Sequence, residues 1–315
     1  MNVLGFETSC DETAASVVKD GRIVLSNIVV SSLKEHRRYG GVIPEIASRR
    51  QMEFIHPVAV KALQEAGLTL GRIDALAVTN RPGLIGSLLV GISFARSLSF
   101  ASNKPLVDVD HIKAHMYACF LASPQPTLPA VGLVVSGGHT SLYFIKNFKD
   151  FRILGETLDD AAGEAFDKVA RILNLGYPGG PAIDRMAQKV KKTTLRFTCA
   201  DLPGTLNFSF SGIKTAVLYH RQRYKEGKDY PPEEVAYAFQ ESVVAVLAAK
   251  SLEACRKLKT KTLLVGGGVA ANSALRRHLQ EAAREYGIEV YFPPPALCMD
   301  NAAMIAGLGF HYFSS

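Results

Sequence analysis

The feature that most constrains this sequence is an order of elements that occurs twice. Apolar runs over 3–7, 14–18 and 23–30 are separated by the polar turn Ser9-Cys10-Asp11-Glu12 and by the hairpin dipeptide Asp20-Gly21, and they read as three strands. A helix ending near Gly67, a strand over 73–78, a helix over about 85–100, a strand over 106–109 and a helix carrying His111 follow. From Ala130 the series restarts. Strands are expected over 130–135, 141–145 and 151–156, with Ser136-Gly137-Gly138-His139 turning between the first two. After a long interruption come a helix over about 233–257, a strand over 262–265, a helix over about 272–286, a strand over 288–292 and a final helix starting near Asp300. Side chains match poorly between the halves; the order is what matches.

Two copies of β-β-β-α-β-α-β-α, each with a polar turn after its first strand, point to an α/β fold. It is the duplicated ribonuclease-H-like architecture of actin, Hsp70 and sugar kinases (ASKHA), in which a nucleotide lies between two lobes. The expected lobes are 1–122 and 123–315, the second carrying an inserted helical segment over about 158–232. With 315 residues, 48% of them hydrophobic, the chain can bury a substantial core. No basic opening precedes an apolar run, so no signal peptide is expected. No stretch reads as the roughly 20 apolar residues of a membrane helix. Five scattered cysteines without a Cys-x-x-Cys pair argue against a disulfide framework and for the cytoplasm. A net charge of +7 suits a polyanion such as RNA without identifying one.

His111 and His115 stand four residues apart on a helix, so their imidazoles leave one face within reach of one ion. Alone, such a pair is more often two satisfied histidines. The duplication supplies a third candidate ligand. His111 opens the last helix of the first half and Asp300 that of the second, and a pseudo-twofold axis would bring the two helix starts together from both lobes. Imidazole and carboxylate together suit Fe²⁺ or Zn²⁺. A His-Glu-x-x-His peptidase would need glutamate at position 112, which is Ile112.

Two glycine turns follow strand ends. Val134-Val135-Ser136-Gly137-Gly138 would let backbone N–H groups approach an anion, with Ser9-Cys10-Asp11-Glu12 as its counterpart in the first half. Gly266-Gly267-Gly268, leading to Asn272, would let the backbone approach a flat adenosine. Neither is a Walker A loop nor a G-x-G-x-x-G loop. In the insertion, Asp167 and Asp184 are candidates for ribose hydroxyls, with helix N-terminal acids an equally good reading. Tyr177-Pro178-Gly179-Gly180-Pro181 is a rigid turn. Basic residues gather at Arg185, Lys189, Lys191, Lys192, Arg196, Arg221, Arg223, Lys225 and Lys228, and at Lys34, Arg37, Arg38, Arg49 and Arg50. Such runs are usually solvated faces and would also suit RNA phosphates.

Over essentially its full length the sequence resembles the TsaD/Kae/Qri family. The resemblance rests on Glu7-Thr8-Ser9-Cys10-Asp11-Glu12-Thr13, Tyr39 to Glu45, Thr79-Asn80-Arg81-Pro82-Gly83-Leu84, His111-Ile-Lys-Ala-His115, Val135 to Thr140, Phe208-Ser209-Phe210-Ser211-Gly212 and Gly266 to Asn272. It implies transfer of a threonylcarbamoyl group from threonylcarbamoyl-AMP to N6 of the adenosine 3′ of the anticodon, in tRNAs reading codons that begin with A. It also implies the partner proteins TsaB and TsaE. Metal ligands carry over to His111, His115 and Asp300, and substrate contacts to Val134, Val135, Ser136, Gly137, Gly138, Asp167, Gly180, Asp184 and Asn272. Gly267 and Gly268 join these as nucleotide-loop residues, and Asp11 and Glu12 are candidates to orient or deprotonate the attacking amine. Mg²⁺ would accompany ATP if that nucleotide is bound. The competing readings are an ASKHA-fold ATPase or sugar-kinase-like phosphotransferase and a nucleotide-gated binding module; metal content and a kinase assay separate the first of these from the transferase.

Overall fold

The computed structural model describes residues 1–223 and 230–313. They form two compact units, 1–126 together with 293–315, and 127–292.

In the first unit, β1 (Asn2–Glu7), β2 (Glu12–Lys19) and β3 (Ile23–Ser31) form an antiparallel meander. The helices α1 (Leu33–Arg37) and α2 (Pro44–Glu65) follow, then β4 (Ala75–Arg81), α3 (Ile85–Ser102), β5 (Leu106–Asp110) and α4 (His111–Tyr117). The strands β4 and β5 extend the sheet in parallel, giving the order β3-β2-β1-β4-β5. Strand alternation sorts the two faces. Leu4, Phe6, Leu76 and Val78 join Ile55, Val58, Ala59 and Ala62 of α2 in one core. Gly5 and Ala77, one residue out of phase, face the other way.

The second unit repeats this plan. It contains β6 (Ala130–Val135), β7 (Thr140–Asn147), β8 (Asp150–Glu156), α5 (Ala162–Ile172), α6 (Gly179–Ala187), α7 (Ser211–Gln222), α8 (Pro232–Leu258), β9 (Thr262–Gly266), α9 (Ser273–Arg284) and β10 (Glu289–Tyr291). Its order, β8-β7-β6-β9-β10, has the same antiparallel and parallel pairings as the first sheet. The duplication expected from the element order is therefore present strand for strand. Within the expected insertion, α5, α6 and α7 are joined to the sheet edge where Thr157 bridges Phe208 in parallel.

The last helix, α10 (Ala302–Phe313), departs from the expected lobes: it packs on β1, β2, β4 and β5 of the first unit. Its residues Ala302 to Gly309 are all buried, so it has no polar face to turn to water. The small residues of the first sheet make room for it. A Cβ on Gly5 would lie 2.7 Å from the Ala302 carbonyl oxygen, and one on Gly309 would lie 2.7 Å from Ala77 Cβ.

The expectation that no run is long and apolar enough for a membrane also needs correction. By length and composition both α3 and α8 pass that test. Most of the α8 window is buried, whereas α3 packs against α2 and β4 and leaves Ile85, Leu89 and Phe100 exposed. None of the five cysteines is in a disulfide.

Candidate metal centre and glycine turns

Asp110 ends β5 and caps α4, its Oδ1 accepting from the N–H groups of Ile112 (3.0 Å) and Lys113 (3.1 Å). This fixes the helix start, so His111 and His115 emerge one turn apart with ring centroids 4.5 Å apart. Asp300 reaches them from the turn before α10. There the buried Asn301 accepts from Met304 N–H (3.1 Å) and donates to the carbonyls of Leu297 and Met299. The helix begins at Ala302, two residues after Asp300 rather than at it.

His115 Nε2 lies 3.1 Å from both His111 Nε2 and Asp300 Oδ1, and His111 Nε2 lies 3.6 Å from the same oxygen. The three residues form a group whose ligand atoms all lie within 4.8 Å of one another. Two imidazole nitrogens pointed at each other and at a carboxylate oxygen form a donor set that could hold a cation, and the buried histidines keep it from water. All three ligands belong to the first unit. The expected assembly from both lobes is thus replaced by one within a single unit, because α10 lies on the first sheet.

Around this cluster lie residues that the sequence reading left without a role. Glu7 is fully buried; its Oε1 accepts from Ser9 N–H (2.5 Å), and its Oε2 from the Thr79 hydroxyl (2.6 Å) and His111 Nδ1 (3.0 Å). Burial works against protonation of His111, but the charges of Glu7 and Asp300 outweigh it and push its pKa up to about 9. The Cys10-Asp11-Glu12 turn is held from α2 and α3. Gln51 Nε2 donates to the carbonyls of Thr8 (3.3 Å), Cys10 (2.9 Å) and Glu12 (3.1 Å), while Ser87 Oγ donates to Cys10 O (3.3 Å). Gly83 and Gly91 permit this approach: a Cβ would meet Ser9 O at 2.6 Å and Thr8 Oγ1 at 2.3 Å respectively. Burial, then the negative charges of Asp300 and Asp11, hold the Glu12 carboxyl well above the usual carboxylate range. Burial and the neighbouring Asp11 likewise push the Cys10 thiol up, away from thiolate chemistry.

In the second unit, Ser136 N–H donates to His139 O (2.8 Å) and His139 N–H to Ser136 Oγ (3.0 Å), closing the turn after β6. Gly163, at the start of α5, is pressed onto this turn; a Cβ there would lie 2.5 Å from Ser136 O. Gly137, Gly138 and Gly180 face open space. Gly267 does not: at φ +91° its close approach is to Val135 O, 2.4 Å from an added Cβ. The glycine is thus already required by β6, before any ligand is considered. Gly268 begins a 3-10 turn that ends at Asn272.

Asp167 and Asp184 both cap a neighbouring helix. Asp167 Oδ1 accepts from Gly179 N–H (2.6 Å) at the start of α6, and burial raises its pKa. Asp184 accepts from the Ser273 hydroxyl (2.8 Å) and N–H (3.2 Å) at the start of α9. Asn272 caps α9 through Leu275 N–H (2.9 Å) and donates to Gln240 (2.7 Å). Val134, Val135, Ser136, Gly180 and Asn272 lie at strand ends or helix starts of one unit, whereas Asp167 and Asp184 sit within α5 and α6 and reach the starts of α6 and α9 through their side chains.

The basic residues divide. Arg50 is paired with Glu35 and Glu53, Arg196 with the carbonyls of Thr193 and Leu195, and Arg221 with that of Ile172. Arg185, Lys189, Lys191 and Lys192 are exposed, Lys189 with a long ion pair to Glu233 (3.7 Å). Lys225 and Lys228 lie outside the described residues.

The twin sheets, with a His/His/Asp cluster on one of them, define an ASKHA-fold protein carrying a candidate metal centre. Solved structures agree on the fold. Component A of (R)-2-hydroxyglutaryl-CoA dehydratase from Acidaminococcus fermentans superposes with a TM-score of 0.58 at 14% identity, covering all of both chains. HypF from T. kodakarensis gives 0.66 at 16% identity, covering 99% of this chain and 47% of its own. The chain itself belongs to the TsaD family, tRNA N6-adenosine threonylcarbamoyltransferase, whose model matches residues 23–307. Relatives of that name in Syntrophus aciditrophicus and Caldicellulosiruptor bescii are 51% and 49% identical, each match covering 98% of this chain and 91% and 92% of theirs.

Proposed function

We propose that this chain transfers the threonylcarbamoyl group of threonylcarbamoyl-AMP to N6 of the adenosine 3′ of the anticodon in tRNAs reading ANN codons. The observation that carries this reading is the His111/His115/Asp300 cluster in a chain of this family. A phosphoryl-transfer enzyme of the same fold has no need of such a cluster.

The donor is a mixed anhydride. N6 attacks the carbamoyl carbonyl carbon, the bond from that carbon to the phosphate oxygen breaks with its electron pair leaving on AMP, and N6 loses a proton. A divalent ion held by His111, His115 and Asp300, Fe²⁺ or Zn²⁺ by ligand chemistry, would supply Lewis acidity and grip on an oxygen of the donor. Backbone N–H groups at Gly137 and Gly138, which face open space, are suited to the adenylate's developing negative charge. Asp167, Gly180, Asp184, Gly267, Gly268 and Asn272 are the proposed nucleotide contacts. Asp184 and Asn272 would do this while remaining caps of α9.

Asp11 is the better candidate to take the N6 proton. Burial and the negative charges of Asp300 and Asp11 raise the Glu12 carboxyl and favour its neutral form, which suits it to orient the amine.

The exposed Arg185, Lys189, Lys191 and Lys192 would meet tRNA phosphates. The exposed apolar stripe of α2 and α3 (Met52, Ile85, Leu89 and Phe100) is the proposed seat of a TsaB partner, with TsaE joining that assembly. Five cysteines outside any disulfide fit a cytoplasmic site of action.

The decisive experiment incubates the chain with threonylcarbamoyl-AMP and unmodified tRNA, with and without TsaB and TsaE, and digests the tRNA to nucleosides. Modified adenosine with release of AMP supports the reading; phosphorylation of a small acceptor from ATP would replace it with the kinase reading.

A further inference from the structure

The two imidazoles of the cluster are held differently. His111 Nδ1 faces Glu7 Oε2 at 3.0 Å, with Ser9 Oγ at 3.1 Å. His115 Nδ1 is buried and has no hydrogen-bond partner among the described residues. Only one of the two rings is therefore oriented from behind by a carboxylate.

Glu7 is unusual in its own right. It ends an apolar strand, is 0% exposed, and among the described residues its only ion-pair partner is His111. A buried carboxylate without lysine or arginine needs another source of positive charge. We propose that Glu7 is a positioning residue for the metal centre: it keeps the proton of His111 on Nδ1, so that Nε2 presents its lone pair, and its charge offsets that of a bound divalent ion. The donor arithmetic agrees. Two neutral imidazoles and one carboxylate leave a divalent ion with one net positive charge, and Glu7 supplies the matching negative one just behind the first ligand. The inference rests on the metal reading given above.

Both Glu7 oxygens accept from donors: Oε1 from Ser9 N–H, and Oε2 from the Thr79 hydroxyl and His111 Nδ1. This makes Glu7→Gln informative. The amide NH₂ cannot face Ser9 N–H, so it turns toward Thr79 and His111. The Thr79 hydroxyl can rotate to accept; His111 can accept only by moving its proton to Nε2, which blocks the ligand atom.

The test titrates the metal-free full chain with Zn²⁺ and with Co²⁺, reading affinity by calorimetry and geometry from the visible Co²⁺ bands. Glu7→Gln is expected to bind about 10- to 100-fold more weakly, with altered Co²⁺ bands. Thr79→Val removes a hydrogen bond to the same oxygen without touching His111, and should stay within about threefold of wild type by the same scale. Equal weakening in both variants, or wild-type affinity in Glu7→Gln, overturns the proposal while leaving the metal centre standing. Failure of the unmodified chain to bind either ion overturns the metal reading itself. ¹⁵N-histidine spectra of the metal-loaded wild type need no variant: a protonated Nδ1 on His111 supports the proposal, and a bare Nδ1 overturns it.

Discussion

In the first unit, the candidate ligand atoms are brought together from α4 and from the turn before α10, with His115 and Asp300 185 residues apart in sequence. Each is fixed by neighbouring side chains: the half-buried Asp110 capping α4, and the buried Asn301 capping α10 and Glu7 behind His111. In the second unit, most candidate residues lie where strands end and helices begin, and Asp167 and Asp184 reach such helix starts from within α5 and α6, so that turns and caps set the site. The same sheet order thus carries one site built from convergent side chains and another built largely from backbone turns and helix caps. The first tolerates little loss of a partner. The second allows individual positions to separate into those the fold already uses and those left open.

The largest expected effect strikes the first site. Asp300→Ala should lower metal affinity more than about 100-fold, beyond the 10- to 100-fold typical of outer-shell losses, and abolish transfer; metal analysis of the purified variant checks it. Retained affinity would mean that His111 and His115 bind without the C-terminal segment.

Within the second unit, two glycines should behave oppositely. Gly267→Ala places a Cβ 2.4 Å from Val135 O at a positive φ, and should cost about 3 kcal/mol in denaturant unfolding. Gly138→Ala meets nothing within 4 Å and should change stability by less than about 0.5 kcal/mol. It should nevertheless weaken adenylate binding about tenfold, or about 1.4 kcal/mol, in a direct binding assay. Asn272→Ala should cost about 1 kcal/mol through loss of the α9 cap, and a stability loss without any change in adenylate affinity would make it a cap alone.

The smallest effect concerns the α8–α9 pair of Glu241 and His278, 3.0 Å apart. His278 is raised from 6.5 by its hydrogen bond to Glu241, so its contribution is complete below that value and fades as the pH rises past it. Glu241 is lowered from 4.5, so its contribution is complete above that value and fades as the pH falls. The pair should stabilise most between these limits, by less than about 1 kcal/mol given its partial exposure, and His278→Ala should flatten that part of the pH–stability curve.

The fold was legible where local pattern decides it. Hydrophobic alternation and the Asp20-Gly21 and Gly-rich turns located the strands, and the repeated order implied the repeated sheet. The site was legible as residue types, since His111, His115 and Asp300 do converge. How they converge was not legible. The pseudo-symmetry placed α10 with the second half, and only its burial against Gly5 and Ala77 returns it to the first. Glu7 carried a faint signal, an acid closing an apolar strand, but its meaning depends on His111 lying beside it after folding. Gln51 carried none, because a glutamine on a long helix reads as surface until its amide is seen among three carbonyls.

The placement of α10 also has a consequence for biosynthesis. The first unit is discontinuous: 1–126 must wait for 293–315, and the whole of 127–292 is translated in between. A nascent chain paused anywhere in that interval holds His111 and His115 without Asp300, and a first sheet whose Gly5 and Ala77 face is still bare. A metal held by this cluster could thus be fully ligated only once elongation has passed Asp300, and a chain released early would lack the third ligand.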